Sequence, residues 1–220
     1  MGETTRTVYD ALGRTLETIL PDATPDDLTD NPRTKVEYDA AGQVKAQIDE
    51  RGDRSEFSYD LAGRRTSVKD AIGNVSTYTY NNGNYRISEK DALGRATTYI
   101  YDAVGRPVKT IYTDGTSTSE TYDNVGRRSS STDQAGNVTR YVYDGLNRPI
   151  EVIYPDDTPD SLSDNPRRRT EYNELGQVTA QIDELGNRQE YKYDLAGRRI
   201  ELRNDCDCHG MNYAYECDSL

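Results

Sequence analysis

Aromatic and apolar positions along this chain alternate with polar ones at a period of two, in short blocks. Tyr78/Tyr80, Tyr99/Tyr101, Tyr141/Tyr143 and Tyr191/Tyr193 each sit two apart, so both rings of a pair share one face of an extended strand. Phe57/Tyr59 is the same pair with one ring changed. Val44, Ala46 and Ile48 alternate with Lys45 and Gln47, and Val178, Ala180 and Ile182 alternate with Thr179 and Gln181. Each block predicts a half-buried strand.

Glycines punctuate the blocks. Gly42, Gly52, Gly63, Gly73, Gly83, Gly94, Gly105, Gly115, Gly126 and Gly136 follow one another at steps of 10 or 11. Such a step holds one strand and one turn, because strands run about 5–6 residues and hairpin loops about 2–5. Several glycines close a fuller motif, Tyr-Asp-x-x-Gly-Arg, and others close degenerate copies of it. It is complete at Tyr9–Arg14, Tyr59–Arg64, Tyr101–Arg106, Tyr122–Arg127 and Tyr193–Arg198. The turn chemistry is direct. Asp accepts a hydrogen bond from a backbone N–H two residues on. Gly three positions after it supplies the left-handed residue of a type I turn with a G1 bulge. The motif therefore predicts a hairpin corner, with Tyr ending one strand and Arg starting the next. A carboxylate that recurs in every unit is structural, and no catalytic or cofactor-binding residue is assigned to it.

A longer period lies over the short one. Residues 8–69 match residues 142–203 at an offset of 134, with 37 of 62 positions identical. Each copy carries one insertion, Pro21–Pro32 and Pro155–Pro166. Its density of Pro, Asp and Asn predicts an exposed loop. Calcium takes six to eight oxygens, but the acids here match no calcium-loop spacing, and a solvated loop is the expectation. The short period predicts one continuous array over residues 1–220.

Composition sharpens this picture. Leu, Ile, Val and Phe make up 36 of the 220 residues and the net charge is −12, values that on their own point to disorder. Eighteen tyrosines in strand register overturn that reading, since Tyr favours strands and buries a large ring. With no Trp and one Phe, the sheet has no thick apolar face. Each Tyr is expected to bury its ring and give its hydroxyl a partner, a neighbouring Asp or Arg. A wide sheet with two polar faces suits a shell around a wet lumen better than a sandwich. The acidic balance disfavours nucleic acid, which needs basic stripes, and an anionic membrane surface. No run of 18 apolar residues encodes a transmembrane helix, so no membrane insertion is expected. The first residues lack the apolar core of a signal peptide.

The Tyr-Asp-x-x-Gly-Arg motif at about 21-residue spacing resembles the YD-repeat or RHS-repeat family. The resemblance covers about residues 4–220. It implies an all-β fold in which antiparallel hairpins join edge to edge into a curved, spiralling sheet, part of a hollow shell. It also implies a structural role: in toxin members the shell encloses a C-terminal toxic domain, so the partners would be such a domain or the rest of the shell. Secretion or display on a bacterial surface follows from the same resemblance. A second reading is an adhesion module whose tyrosine-rich strands bind a glycan or a protein. The chain lacks the family's Asp-Pro-x-Gly-Leu signature. It ends in Tyr215–Leu220, the start of another unit with Cys217 in the Tyr place, and so reads as a fragment.

One cluster has the composition of a metal site. Cys206, Cys208, His209 and Cys217 are the chain's three cysteines and its one histidine, and structural zinc favours such ligands. The Cys-x-Cys-His spacing is not the usual Cys-x-x-Cys, and no metal or other cofactor is assigned. A disulfide involving Cys217 and unlinked thiols in ordinary repeat positions stay open beside it. No nucleophile–base pair and no phosphate-cradling loop is present. An enzyme is not expected.

Overall fold

A computed structural model of the chain describes residues 4–21, 31–158 and 162–205. The chain divides into two units, residues 1–115 and 116–220. The first holds β1 (Arg6–Tyr9), β2 (Thr15–Ile19), β3 (Arg33–Tyr38), β4 (Val44–Ile48), β5 (Arg54–Tyr59), β6 (Arg65–Lys69), β7 (Val75–Tyr80), β8 (Arg86–Lys90), β9 (Ala96–Tyr101) and β10 (Pro107–Ile111). The second holds β11 (Ser117–Tyr122), β12 (Arg128–Thr132), β13 (Val138–Tyr143), β14 (Pro149–Ile153), β15 (Arg167–Tyr172), β16 (Val178–Ile182), β17 (Arg188–Tyr193) and β18 (Arg199–Asp205). No helix occurs among the described residues. Within each unit every strand pairs antiparallel with the next, from β1 through β10 and from β11 through β18. Each unit is therefore a meander whose corners alternate between its two edges.

The corners form as their chemistry dictates. At Asp60–Arg64 the amide of Gly63 donates to the carbonyl of Asp60 and the amide of Asp60 to the carbonyl of Arg64, both at 3.0 Å. Oδ1 of Asp60 accepts from the amides of Ala62 at 2.9 Å and Arg64 at 3.0 Å. Gly63 takes φ +81°, a left-handed value that would strain an L side chain. The register then slips by one residue between Ser58 and Tyr59, the bulge expected after such a turn.

One corner corrects the glycine count. In residues 81–85 the left-handed residue is Asn84, at φ 65°, and Gly83 is not in that region. Oδ1 of Asn81 accepts from the amides of Gly83 and Tyr85, as the corner Asp does elsewhere. The Asx side chain and the two strand lengths locate the corner; the nearest glycine does not. Asn tolerates the left-handed region, so it serves there. Asn147, at φ 66°, does the same in the corner at Asp144.

Residues paired directly across a ladder share a face. In each unit one face carries its motif tyrosines, with Tyr78 and Tyr99 in the first and Tyr141 and Tyr191 in the second. The other carries charges. In the first unit Glu17 meets Arg33 at 3.4 Å and Lys35 at 3.7 Å. In the second, Glu151 meets Arg167 at 3.5 Å and Arg169 at 2.9 Å. These are matching positions of the duplication.

Neither unit has a conventional core. Among the described residues the buried hydrophobics are Ile19, Ala46 and Ala180, and no large side chain is fully buried. Stability comes from ladder hydrogen bonds and cross-strand pairs rather than from a packed interior. The insertions are closed at their base in the same way. The amide of Leu20 donates to Pro32 and Nδ2 of Asn31 to Leu20. The amide of Tyr154 donates to Pro166 and Nδ2 of Asn165 to Tyr154. Both asparagines are buried, an exception to the expectation of an exposed loop. Residues 22–30 and 159–161, with most of the loop acids, lie outside the described residues.

Candidate functional site

The corner residues do more than turn the chain. Arg64 starts from the corner of its own Asp60, to whose Oδ2 its Nε donates at 2.7 Å. Its guanidinium then lies 4.8 Å from the ring centre of Tyr80, in the next corner on the same edge. Nη1 continues to the carbonyl of Asn81 at 2.8 Å and to Oδ1 of Asn84 at 3.0 Å. Arg127 makes the same three contacts with Tyr143, Asp144 and Asn147. Arg14 lies over Tyr38 and Arg148 over Tyr172. A cation over a ring contributes about 0.5–1 kcal/mol at such partly exposed positions.

The tyrosines couple in the opposite direction. The hydroxyl of Tyr59 donates to the carbonyl of Val44, and those of Tyr80, Tyr101, Tyr143 and Tyr193 to Arg65, Arg86, Arg128 and Val178. Each bond reaches back 15 residues to the start of the preceding hairpin's second strand. Tyr38 and Tyr172 make the same bond across the insertions, to Thr15 and Pro149. The expected partner was a neighbouring Asp or Arg; the observed one in these corners is a backbone carbonyl. The extra residue of the G1 bulge interrupts the ladder there, and the phenol donates to the carbonyl beside it. The even spacing of Tyr59, Tyr80 and Tyr101 in the first unit, and of Tyr122 and Tyr143 in the second, was the sequence signal that within each unit they sit on one edge.

Tyr85 shows how the device tolerates change. It occupies the place of the motif Arg, and its ring stacks on Tyr101 at 5.0 Å, where other corners place a guanidinium. A Cβ added at Gly105 would lie 1.9 Å from the Tyr85 hydroxyl. Added at Gly42 or Gly63, it would stand 3.1 Å from Nη1 of Arg14 or 3.0 Å from Nε2 of Gln43. At Gly42, Gly63 and Gly105 the corner Gly is thus needed for its φ and as the seat for the side chain arriving from the previous corner.

The charged face carries a second repeated constellation. Arg54 donates to Glu37 at 2.7 and 2.8 Å and to Glu56 at 3.0 Å. Glu37 and Glu56 both pair with Ala46, from opposite sides, so the guanidinium crosses over Ala46, which is fully buried. Arg188, Glu171, Glu190 and Ala180 repeat the arrangement. The Arg54 hydrogen bonds hold the carboxyls of Glu37 and Glu56 below their ordinary range and push Arg54 further up. The corner acids shift likewise. The Arg64 guanidinium and then the Arg64 amide hold Asp60 below its usual value, and the side chains of Asn74 and Asn137 lead the same effect at Asp70 and Asp133. On the other face, burial and the adjacent Glu89 carboxylate raise the Tyr99 phenol.

These groups are mutually satisfied, which is the opposite of an acid–base site awaiting substrate. The depressions between strands are shallow. A space of about 580 Å³ beside Tyr85, Ile87, Tyr99 and Tyr101 holds no convergent set of free polar groups. Cys206, Cys208, His209 and Cys217 lie outside the described residues. Among the described residues no group of three or more His, Cys, Asp or Glu gathers as a metal site, and no helix is long and apolar enough to cross a membrane.

Comparison with known proteins follows this geometry. The RHS Repeat family matches residues 38–71, 82–117, 122–159 and 172–205. No curated protein sequence matches. A crystal structure of TcdB2-TccC3 without its hypervariable C-terminal region superposes with a TM-score of 0.55 at 17% identity, over 92% of this chain and 12% of that one. A crystal structure of TcdB2-TccC3-TEV gives 0.48 at 15% identity, over 91% and 15%. The first establishes a shared fold. This chain spans only about an eighth of the length of that structure.

Proposed function

This chain belongs to the RHS repeat family, and on that premise we propose that it is a stretch of wall: a structural segment of an RHS shell that encloses a C-terminal toxin domain encoded outside these 220 residues. The observation that carries this reading is the coupling of corners. Tyr80 reaches back to Arg65, and Arg64 reaches forward to Tyr80 and Asn81. Within each unit, neighbouring hairpins are fastened by side chains that belong to the repeat itself. Such a sheet extends by repetition and needs no apolar core on either face, which is what a wall around a wet interior requires. All 220 residues act as one continuous array in this reading.

The chain is not an enzyme in this reading, because its recurring acids and bases are consumed by one another and by turn amides. It needs no cofactor. Its partners are the remainder of the shell and the enclosed domain, and its place is outside the bacterial cell. The TcdB2-TccC3 structure is described as lacking a hypervariable C-terminal region, which supports a variable domain following a wall of this kind.

The test uses the whole protein that contains this segment. Its C-terminal domain is expected to resist added protease while the shell is intact and to be digested once mild denaturant opens it. Digestion in the intact protein at the rate of the isolated domain would reject enclosure.

A further inference from the structure

Several leucines stand at the corners, among them Leu12, Leu61, Leu93, Leu146, Leu175, Leu185 and Leu195, all exposed. In the second unit the corners on one edge carry Val125, Leu146, Leu175 and Leu195, all exposed. They sit in Asp123–Arg127, Asp144–Arg148, Asn173–Gln177 and Asp194–Arg198. In a meander every second corner falls on the same edge, so the four lie in a row at steps of about two strand spacings, or about 9.5 Å. Turn geometry asks for nothing apolar there: Asp and Gly make the turn, and any polar residue would fill the place. Val125, Leu146 and Leu175 hold the same turn position and Leu195 stands one residue earlier; in a chain of mean hydropathy −0.95, such a row of exposed aliphatic tips is an apolar ridge.

We propose that this edge is a self-association surface and that its occupant is the same edge of a second copy of the chain. Period supports this, since a row of tips at a fixed step is matched by an identical row with the same step. A two-fold axis between the edges sets each tip in the gap between two others.

Charge supports it as well. The chain is strongly acidic, yet the corner acids on this edge are neutralised by their own arginines: Asp123 by Arg127 at 2.7 Å, Asp144 by Arg148 at 2.6 Å and Asp194 by Arg198 at 2.7 Å. The fourth corner uses the neutral Asn173 and Gln177 and carries one exposed acid, Glu174. A like edge can therefore approach without the repulsion the rest of the surface would impose.

Area gives the strength. At about 100 Å² of apolar side chain apiece, four tips present about 400 Å², the size of the largest apolar patch on an ordinary monomer. Two such edges bury about 800 Å² of apolar surface. With the usual polar rim the total passes the roughly 1,000 Å² of a specific contact. The dimer is a weak, concentration-dependent one, and it does not depend on what the wall encloses.

The experiment is sedimentation velocity of the full chain from low to high micromolar concentration, beside the triple variant Leu146→Lys, Leu175→Lys, Leu195→Lys. These side chains are exposed, so the variant folds, and an unchanged far-ultraviolet spectrum checks it. The chain is expected to dimerise with concentration, and the triple variant to dimerise at least tenfold more weakly. A monomer at every concentration would overturn the proposal. So would a dimer that survives the triple substitution, because association would then run through the strand edges. Neutral phosphatidylcholine vesicles form the last arm. Vesicle binding that the triple substitution abolishes, without any dimer, would assign the ridge to a lipid surface instead.

Discussion

At the residue scale some corner positions answer two demands at once, and Gly105 is the sharpest case. It takes φ +85° and gives up its Cβ space to the Tyr85 hydroxyl. Gly105→Ala is expected to cost about 2–4 kcal/mol, combining left-handed strain with overpacking. Gly52→Ala meets open space and should show only the strain, about 1–2 kcal/mol. Guanidinium unfolding of the two variants measures the difference. A Tyr85→Ala background should bring the Gly105→Ala cost down to that of Gly52→Ala, a non-additivity expected only for residues in contact. Ala46→Leu probes the other constellation. It inserts bulk beneath Arg54 and should cost about 1–3 kcal/mol while separating Glu37 from Glu56. Much of this chemistry was legible in the sequence, since Asp-x-x-Gly named the turn and its bonds. The identity of the left-handed residue at 81–85 was not, because Gly83 and Asn84 both qualify and the strand lengths on either side decide between them.

At the element scale the hairpin is closed by bonds within four residues and tied to its neighbours by bonds of about 15. Tyr143→Phe removes only the latter. It should lower stability by about 0.5–1.5 kcal/mol while leaving the β13–β14 turn intact, read as unchanged protection of the turn amides in hydrogen exchange. Acid acts on the turns themselves. Asp60, Asp91 and Asp194 have folded pKa values lowered by hydrogen bonds from Arg64, Arg95 and Arg198. A lowered folded value means that their stabilisation is complete above the unfolded carboxyl range and is lost as pH falls through the folded one. Stability should therefore hold at neutral pH and decline below about pH 4. Asp60→Asn should keep the turn, as Asn81 and Asn173 do, and should flatten that decline, followed by circular dichroism between pH 5 and 2. The strands were legible from tyrosine alternation, and the bulge from the G1 turn. The backward reach of Tyr was not, because a side chain's partner 15 residues away depends on which strand lies beside it.

At the scale of the whole molecule the repeat behaves as a one-dimensional lattice with nearest-neighbour coupling. Its period is two strands and two corners, so an in-register excision should be tolerated. Deleting residues 65–85 removes β6, β7 and their corners and brings Arg64 beside Tyr101, where a guanidinium replaces the Tyr85 ring. This variant should unfold cooperatively at a somewhat lower denaturant midpoint. Deleting residues 65–74 removes one strand and one corner. It places Tyr80 on the wrong edge, breaks the contact with Arg64 and should abolish cooperative unfolding. The sequence by itself determined that the chain is an all-β array, where it turns, and that its sheet has no thick apolar face, because turn bonds span four residues and strand faces follow a period of two. Tertiary structure alone decided what the motif Tyr and Arg are for, and that Ala46 lies beneath Arg54. Those contacts exist only once antiparallel pairing brings residues 15–17 positions apart to neighbouring sites on one sheet, and nothing local in the chain encodes that meeting.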